Sequence, residues 1–245
     1  MRMIPVINVT GSSEMTADLA TIAVEPAILY FGTPVVLIST MNEDGSSNLA
    51  PMSSAFWLGW RCMLGLDASS KTTENLLRTG ECVLNLPSPL QVGAVDRLAR
   101  LTGTDPVPPA KQMRNYTHEH DKWAISGLTP IASETIVPPR ALECPVQQEA
   151  VLAATNGFMA DDENWKVGIK VFEVRVQRVH VHPAILLAGE ANRIDPDKWR
   201  PLIMSFQKFY GLADGQLHAS RLGEIPEATY LSPDVARARS TVVAA

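Results

Sequence analysis

The chain has 245 residues, 46% of them hydrophobic and 19% charged, the balance of an ordinary globular protein that can bury a substantial core. A net charge of -5 leaves no electrostatic reason to expect nucleic acid or an anionic membrane as partner. Cys62, Cys82 and Cys144 are scattered through apolar runs without CxxC or Cys/His zinc spacing. No secretory signal is visible and no apolar run is long enough for a membrane span, so a cytoplasmic protein is expected.

Residues up to about Gly32 read as a lead-in, with a helical turn over Met15–Ala20. Pro34–Thr40 predicts a strand, rich in β-branched residues and opened by a proline, which strand starts tolerate. Asn42-Glu-Asp-Gly45 predicts a turn, and Asn48–Leu58 is expected to return as the second strand of a hairpin. Arg61–Leu66 reads as a strand buried on both faces, Thr72–Thr79 as a short helix ended by Gly80, and Glu81–Leu86 as a strand stopped by Pro87. Asn85, closing that strand, reads as a turn residue. Leu90–Leu101 has helical apolar spacing.

Pro106, Pro108 and Pro109 make Gly103–Ala110 an irregular crossing, and the polar Lys111–Lys122 segment is expected to lie exposed. Ile131–Val137, Arg140–Ala154 and Lys166–His182 read as long strands, the last two separated by a turn at Asp161-Asp-Glu163. Pro196–Tyr210 is expected as a helix and the tail after Pro233 as flexible. The expected organisation is a lead-in over 1–29, a main domain over 30–190, and a helical extension over 191–245 packed on that domain. Strands with short helices between them predict a mainly β protein built as one closed barrel.

Two segments carry chemistry. Asn48-Leu-Ala-Pro-Met-Ser-Ser54 and Ser69-Ser-Lys-Thr-Thr-Glu-Asn75 flank an apolar strand, and the second opens a helix. Together they offer hydroxyls, backbone N–H groups and one lysine to a phosphate, which a helix N-terminus favours through its unsatisfied donors and its dipole. Neither GxGxxG nor GxxxxGK[ST] is present, so the site is not that of a Rossmann domain or a P-loop. Taken alone, Ser69–Asn75 is better explained by helix capping.

The order and spacing of Pro34–Thr40, Gly45–Ser54, Lys71-Thr72-x-x-Asn75 and Gly80-Glu-x-Val-Leu-Asn-Leu-Pro87 resemble the flavin reductase-like family of FMN-binding split-barrel proteins. The resemblance weakens across Val107–Trp123 and resumes in Leu142-Glu-Cys-Pro145 and Val174–Leu187. It implies an antiparallel, Greek-key split β-barrel with short peripheral helices and a helical C-terminal extension. It also implies a homodimer holding FMN near its interface, with NADH or NADPH as reductant. Carried over by residue, Ala50, Pro51, Met52, Ser53 and Ser54 lie along the isoalloxazine, and Ser70, Lys71, Thr72 and Asn75 hold the phosphate and ribityl end. The chemistry agrees: lysine gives a phosphate a point charge, while hydroxyls and amides give it directional bonds.

Other candidates carry less. Trp57 and Trp60 are expected at the core or a dimer interface rather than stacked on a ring. His118-Glu-His120-Asp121 lacks a third ligand and reads as solvated surface, so no metal is expected. His180 and His182 alternate on one strand face; proximity to the cofactor or dimer partner and a plain hydrogen-bonded imidazole are evenly balanced. Arg221 reads as a surface ion pair, with the cofactor or NADPH phosphate as the alternative. No acid–base residue is assigned. The leading functional reading is an NAD(P)H-dependent FMN reductase that supplies reduced flavin to a monooxygenase. A flavoenzyme with tightly bound FMN and an organic substrate, roofed by Gly103–Trp123 and the extension after Leu187, is the second. A non-enzymatic flavin-binding module is the third.

Overall fold

A computed structural model describes residues 21–159, 161–162 and 168–241. The helical turn expected over Met15–Ala20, Glu163 of the expected Asp161–Glu163 turn and the start of the strand expected from Lys166 lie outside these residues. Seven antiparallel strands form the main sheet: β1 (Val36–Met41), β2 (Ser47–Met52), β3 (Ala55–Leu58), β4 (Arg61–Asp67), β5 (Glu81–Leu86), β6 (Val146–Gly157) and β7 (Ile169–Val181). Their order across the sheet is β2-β1-β5-β6-β7-β4-β3.

Successive strands β2 and β3 thus occupy opposite edges, although only Ser53 and Ser54 separate them. So short a link cannot cross a flat seven-stranded sheet, and the sheet must curl until its edges meet. The Gly65 amide, on β4, donates to the Ser54 carbonyl at 2.9 Å, and a Cβ at Gly65 would lie 3.3 Å from that of Ser54. The segment Asn48–Leu58 is therefore two strands, not the single one expected.

Inside the barrel pack Val36, Ile38, Leu64, Leu66, Leu84, Phe172 and Val174, all fully buried. On β4 burial alternates, with Cys62, Leu64 and Leu66 inward, so this strand buries one face rather than both. Strands β1 and β5 are covered on both faces. Leu37 of β1 faces a second cluster with Leu49, Val95, Leu98, Trp123, Leu128 and Leu202, which α2 (Val92–Arg97) and α4 (Lys122–Ser126) help to build.

Three other expectations are corrected. Of the strand expected over Ile131–Val137 only Ile131 is in one, the two-residue Pro130–Ile131, paired with Arg140–Ala141. The following backbone instead turns its Glu134 and Thr135 amides onto the Glu149 carboxylate, at 2.8 and 2.6 Å. Pro196–Tyr210 holds a hairpin of β8 (Ile203–Ser205) and β9 (Lys208–Tyr210) in place of a helix. Strand β8 pairs with Thr33–Pro34, while the flanking Leu202 bonds to Val35 and Pro87, so partners distant in sequence draw this backbone into extended form. Finally, Pro233–Thr241 of the tail is helix α5, held by Val235 and Ala238 against the barrel and by Asp234, which accepts from Arg61 Nε at 2.9 Å.

Glu149 ties the side of the barrel together. Its carboxylate, with no exposure, accepts from His180 Nε2 at 2.7 Å, from the Thr135 hydroxyl at 2.6 Å and from the two amides above. Burial pushes its pKa up, but His180, Thr135 and the amides outweigh burial and hold it at about 2. A carboxylate depressed in the folded state adds stability above its unfolded pKa and loses it as pH falls toward the folded one. Glu149→Gln is therefore expected to lower the unfolding free energy at neutral pH by about 2–3 kcal/mol and to flatten its decline in acid, measured by urea melts from pH 7 to pH 3. Equal acid sensitivity in the variant would contradict this.

Candidate cofactor site

Helix α1 (Lys71–Thr79) starts directly after β4. Ser70 caps it: the backbone is extended there, and Oγ accepts from the Thr73 amide at 3.1 Å. Gly80 ends it at φ 72, a conformation that glycine adopts without strain. The amides of Lys71 and Thr72, at the first two helical positions, have no intrahelical acceptor and remain as donors beside the positive end of the helix dipole.

Around this end the structure assembles a polar wall. Asn48, on β2, is buried; its Nδ2 donates to Thr72 Oγ1 at 3.1 Å, and its Oδ1 accepts from Lys122 Nζ at 2.9 Å. Gly103 lies against the same pair, so that a Cβ there would sit 2.7 Å from Asn48 Oδ1 and 3.2 Å from Lys71 Cβ. Thr104 Oγ1 donates to the Ser69 carbonyl at 3.0 Å, which closes the proline-rich crossing over the start of α1. Helix α3 (Pro109–Gln112) brings Lys111 inward, its Nζ 3.5 Å from Thr102 Oγ1.

The Lys111–Lys122 segment is mostly exposed, as expected, but its two end residues are not: Lys111 and Lys122 are only 6% and 2% exposed. Among the described residues neither has a carboxylate within ion-pair distance. Burial first, and then the charge of Lys111, pull the Lys122 pKa down to about 7 against the attraction of Glu119. Burial likewise lowers Lys111, against the attraction of Asp67. Lys71 differs: its ammonium is 2.7 Å from Glu74, one helical turn on.

The expected site residues fall into two groups. Ser70, Lys71 and Thr72 stand at the start of α1. Asn75 is fully buried and gives its amide to Asn42 Oδ1 at 2.8 Å and to Thr40 Oγ1 at 3.1 Å, which fastens α1 to the β1–β2 turn. Ala50, Pro51 and Met52 are on β2, paired with Ile38, Leu37 and Val36; an edge strand accommodates the missing amide of Pro51. Ser53 and Ser54 form the corner between β2 and β3, and their hydroxyls and amides have no partner among the described residues. Asn48 joins the groups, for it lies on β2 and touches Thr72 on α1.

Sequence reasoning placed Asn48 in a chemistry-bearing segment, and Gly103, Lys111 and Lys122 in a roof over the site, but assigned none of them to the site itself. A signal existed for the last: Asp121 caps Lys122-Trp123-Ala-Ile-Ser-Gly127, a start and stop pattern that marks a short helix with an inward face.

A cleft of about 950 Å³ lies elsewhere, lined by Trp60, Arg140, Gln147, Arg178, His180 and Val235 among others, and contains none of the nine expected cofactor residues. Volume and donor chemistry thus point to different places. The donors decide where a phosphate goes, because its binding depends on charge and directed N–H groups and not on room. His180 is bonded to Glu149, and His182 accepts from the Ala184 amide at 3.2 Å. Trp57 Nε1 donates to Gln148 at 2.7 Å, and Asn85 is buried between the Leu37 carbonyl and the Ala141 amide. His120 bonds Asp44 at 2.9 Å on the surface, and Arg221 is exposed. Among the described residues no group of three or more His, Cys, Asp or Glu is placed to hold a metal, and no helix is long and apolar enough to cross a membrane. The three cysteines are free and buried, with the Cys62 thiol pushed up to about 12 by burial, so none is poised as a nucleophile.

A curled antiparallel sheet with a capped helix beside its closing corner defines a split barrel. The sequence pattern of the flavin reductase like domain matches residues 28–213, and the chain belongs to that family. An uncharacterized protein of Bacillus subtilis (strain 168), YdfE, is 36% identical over 189 residues, 77% of this chain and 88% of its own. Among solved structures, flavoredoxin of Desulfovibrio vulgaris (Miyazaki F) aligns with a TM-score of 0.66 at 19% identity, covering 83% of this chain and 100% of its own. Nitrilotriacetate monooxygenase component B from Bacillus cereus aligns with a TM-score of 0.62 at 20% identity, covering 81% and 99%. These two share the fold.

A lysine with a depressed folded pKa costs stability wherever the unfolded chain would carry its proton. That cost grows as pH falls from the ordinary value of 10.5 to about 7 and is constant below. Lys122→Met is therefore expected to stabilise the ligand-free protein near neutral pH by on the order of 2–4 kcal/mol, less the donor lost to Asn48, with a smaller gain near pH 10. Melting temperatures across that range check it; a destabilised variant at pH 7 would contradict it.

Proposed function

We propose that the chain is an NAD(P)H-dependent FMN reductase, working as a homodimer and supplying reduced flavin to a monooxygenase. The observation that carries this reading is the donor set at α1: two buried lysines with no carboxylate in ion-pair distance among the described residues, two helix amides without an intrahelical acceptor, and the Thr72 hydroxyl. An unpaired buried ammonium is costly, and a phosphate dianion is the counterpart this set fits. A terminal phosphate beside a helix also favours FMN over a flavin without one.

When bound, FMN supplies the redox chemistry by accepting a hydride. The protein's part is placement. Thr72, Asn48, Lys111 and Lys122 surround the phosphate position, with Ser70 capping α1 there, Lys71 on the rim paired with Glu74, and Asn75 holding α1 in place. Ala50, Pro51 and Met52 form the strand along which the ring lies, and the unpaired amides and hydroxyls of Ser53 and Ser54 are the donors offered to the pyrimidine edge. No acid or base is required, since hydride transfer depends on close, oriented rings. Edge strand β3 supports the dimer: Phe56 and Leu58, next to this corner, are 55% and 72% exposed. The monooxygenase assignment draws on the structural likeness to a nitrilotriacetate monooxygenase component.

One observation favours the second reading, in which FMN stays bound and an organic substrate is reduced. The crossing after Gly103 closes over α1 through the Thr104–Ser69 bond, cover that a freely exchanging flavin does not need. Dialysis followed by anaerobic NADH or NADPH addition separates the two. The reductase reading expects a protein that loses its yellow colour on dialysis and catalyses NAD(P)H oxidation with excess FMN. Retained flavin bleached by NAD(P)H would favour the second reading, and flavin binding without any NAD(P)H turnover would exclude the first.

A further inference from the structure

We propose that Lys122 and Lys111, rather than Lys71, supply the charge that meets the cofactor phosphate, and that the site takes up a proton from solvent as the dianion enters. The inference rests on the FMN reading and concerns how that site is charged.

Most charges near α1 already have partners. Lys71 is paired with Glu74 at 2.7 Å, and both are partly exposed. On the β4 end, Asp67 accepts from the Ser69 amide at 2.8 Å and hydroxyl at 2.6 Å and faces Arg114 at 3.6 Å. On the approach to α4, Glu119 accepts from the Asp121 amide at 2.8 Å, while Asp121 caps the helix through the Ala124 amide at 3.0 Å. The acids facing the two buried lysines are therefore hydrogen-bonded elsewhere, and Asp67 and Glu119 attract Lys111 and Lys122 only from beyond ion-pair distance. Lys122 keeps one neutral acceptor, Asn48 Oδ1, and Lys111 one long contact, with Thr102.

Two ammonium groups cannot both be held in so dry a place at little cost. Burial and mutual repulsion favour loss of one proton, and Lys122, with its pKa at about 7, is the group that gives way. A phosphate dianion reverses both effects. It offers each ammonium an opposite charge at close range and so favours the protonated form of Lys122. The balance is simple: a solvent proton moves onto Lys122 Nζ as the dianion binds, and no other bond changes. Asn48 makes the arrangement directional, because the same side chain that accepts from Lys122 donates to Thr72 on α1.

Calorimetric titration of FMN at about pH 8, in buffers of different ionisation enthalpy, measures the proton count directly. The phosphate is already a dianion there, since its second pKa is about 6, and adds nothing to the count. The wild type is expected to take up close to one proton, and its affinity to fall nearly tenfold per pH unit above neutrality. Lys122→Met is expected to remove both the uptake and the pH slope and to bind on the order of tenfold more weakly at pH 7. Lys111→Met is expected to weaken binding similarly while reducing the slope, because Lys122 then protonates unopposed. Lys71→Met should stay within about threefold of wild type with uptake unchanged. Undiminished uptake in Lys122→Met, or a larger loss in Lys71→Met than in Lys122→Met, would overturn the proposal. Absence of FMN binding by the wild type would instead remove the flavin reading. Inorganic phosphate then serves as the probe: Lys122-dependent proton uptake with phosphate supports the charged site, and no phosphate binding overturns it.

Discussion

Ser53 and Ser54 carry the chain from one edge of the seven-stranded sheet to the other, and this passage is the constraint on which the architecture depends. Edges joined by two residues must lie side by side, so the sheet closes and its apolar faces form one interior. Closure brings β2 beside the β4–α1 junction, where Asn48 meets Thr72. It also leaves the amides and hydroxyls of the corner unused by the strands on either side, although the Ser54 carbonyl is bonded to Gly65. The closure of the barrel and the composition of the candidate site thus have one cause.

The site departs from the usual rule that buried charge is paired. Elsewhere in the molecule the rule holds. Glu149 is saturated by an imidazole, a hydroxyl and two amides, and Asp234 is met by Arg61. Beside α1, Lys111 and Lys122 lie within reach of no carboxylate among the described residues, while Lys71 on the rim has one. Stability alone would select apolar residues at two such positions, and concentrating the cost next to a helix N-terminus is what anion binding requires. Gly103 belongs to the same arrangement: only a residue without Cβ lets the crossing approach Asn48 and Lys71 so closely.

Much of this was legible in the sequence where local pattern decides. The β-branched run of β1, the apolar β5 stopped by Pro87, and α1 between Ser70 and Gly80 are fixed by nearby residues, and the structure keeps them near their expected bounds. The hydroxyl-rich segments around Ser53 and Ser70 were readable as a pair and lie on adjoining elements. What was not legible depends on distant partners. The backbone at 203–210 is extended because Thr33–Pro34 takes it as a neighbour. Pro233–Thr241 is ordered into a helix through a contact with Arg61, far upstream. Lysine as a residue type signals exposure, and it is packing against Asn48 of β2 that makes Lys122, at the start of α4, a buried group.

The central claim is that the start of α1, walled by Asn48, Lys111 and Lys122, is a phosphate site serving a flavin. The most direct test compares FMN with riboflavin, which carries the same ring and ribityl chain without the phosphate, by fluorescence titration of the purified protein. The account predicts that FMN binds at least on the order of a hundredfold more tightly, the worth of two charge-assisted contacts to a dianion. Equal affinities for the two flavins would contradict it and move the flavin site away from α1.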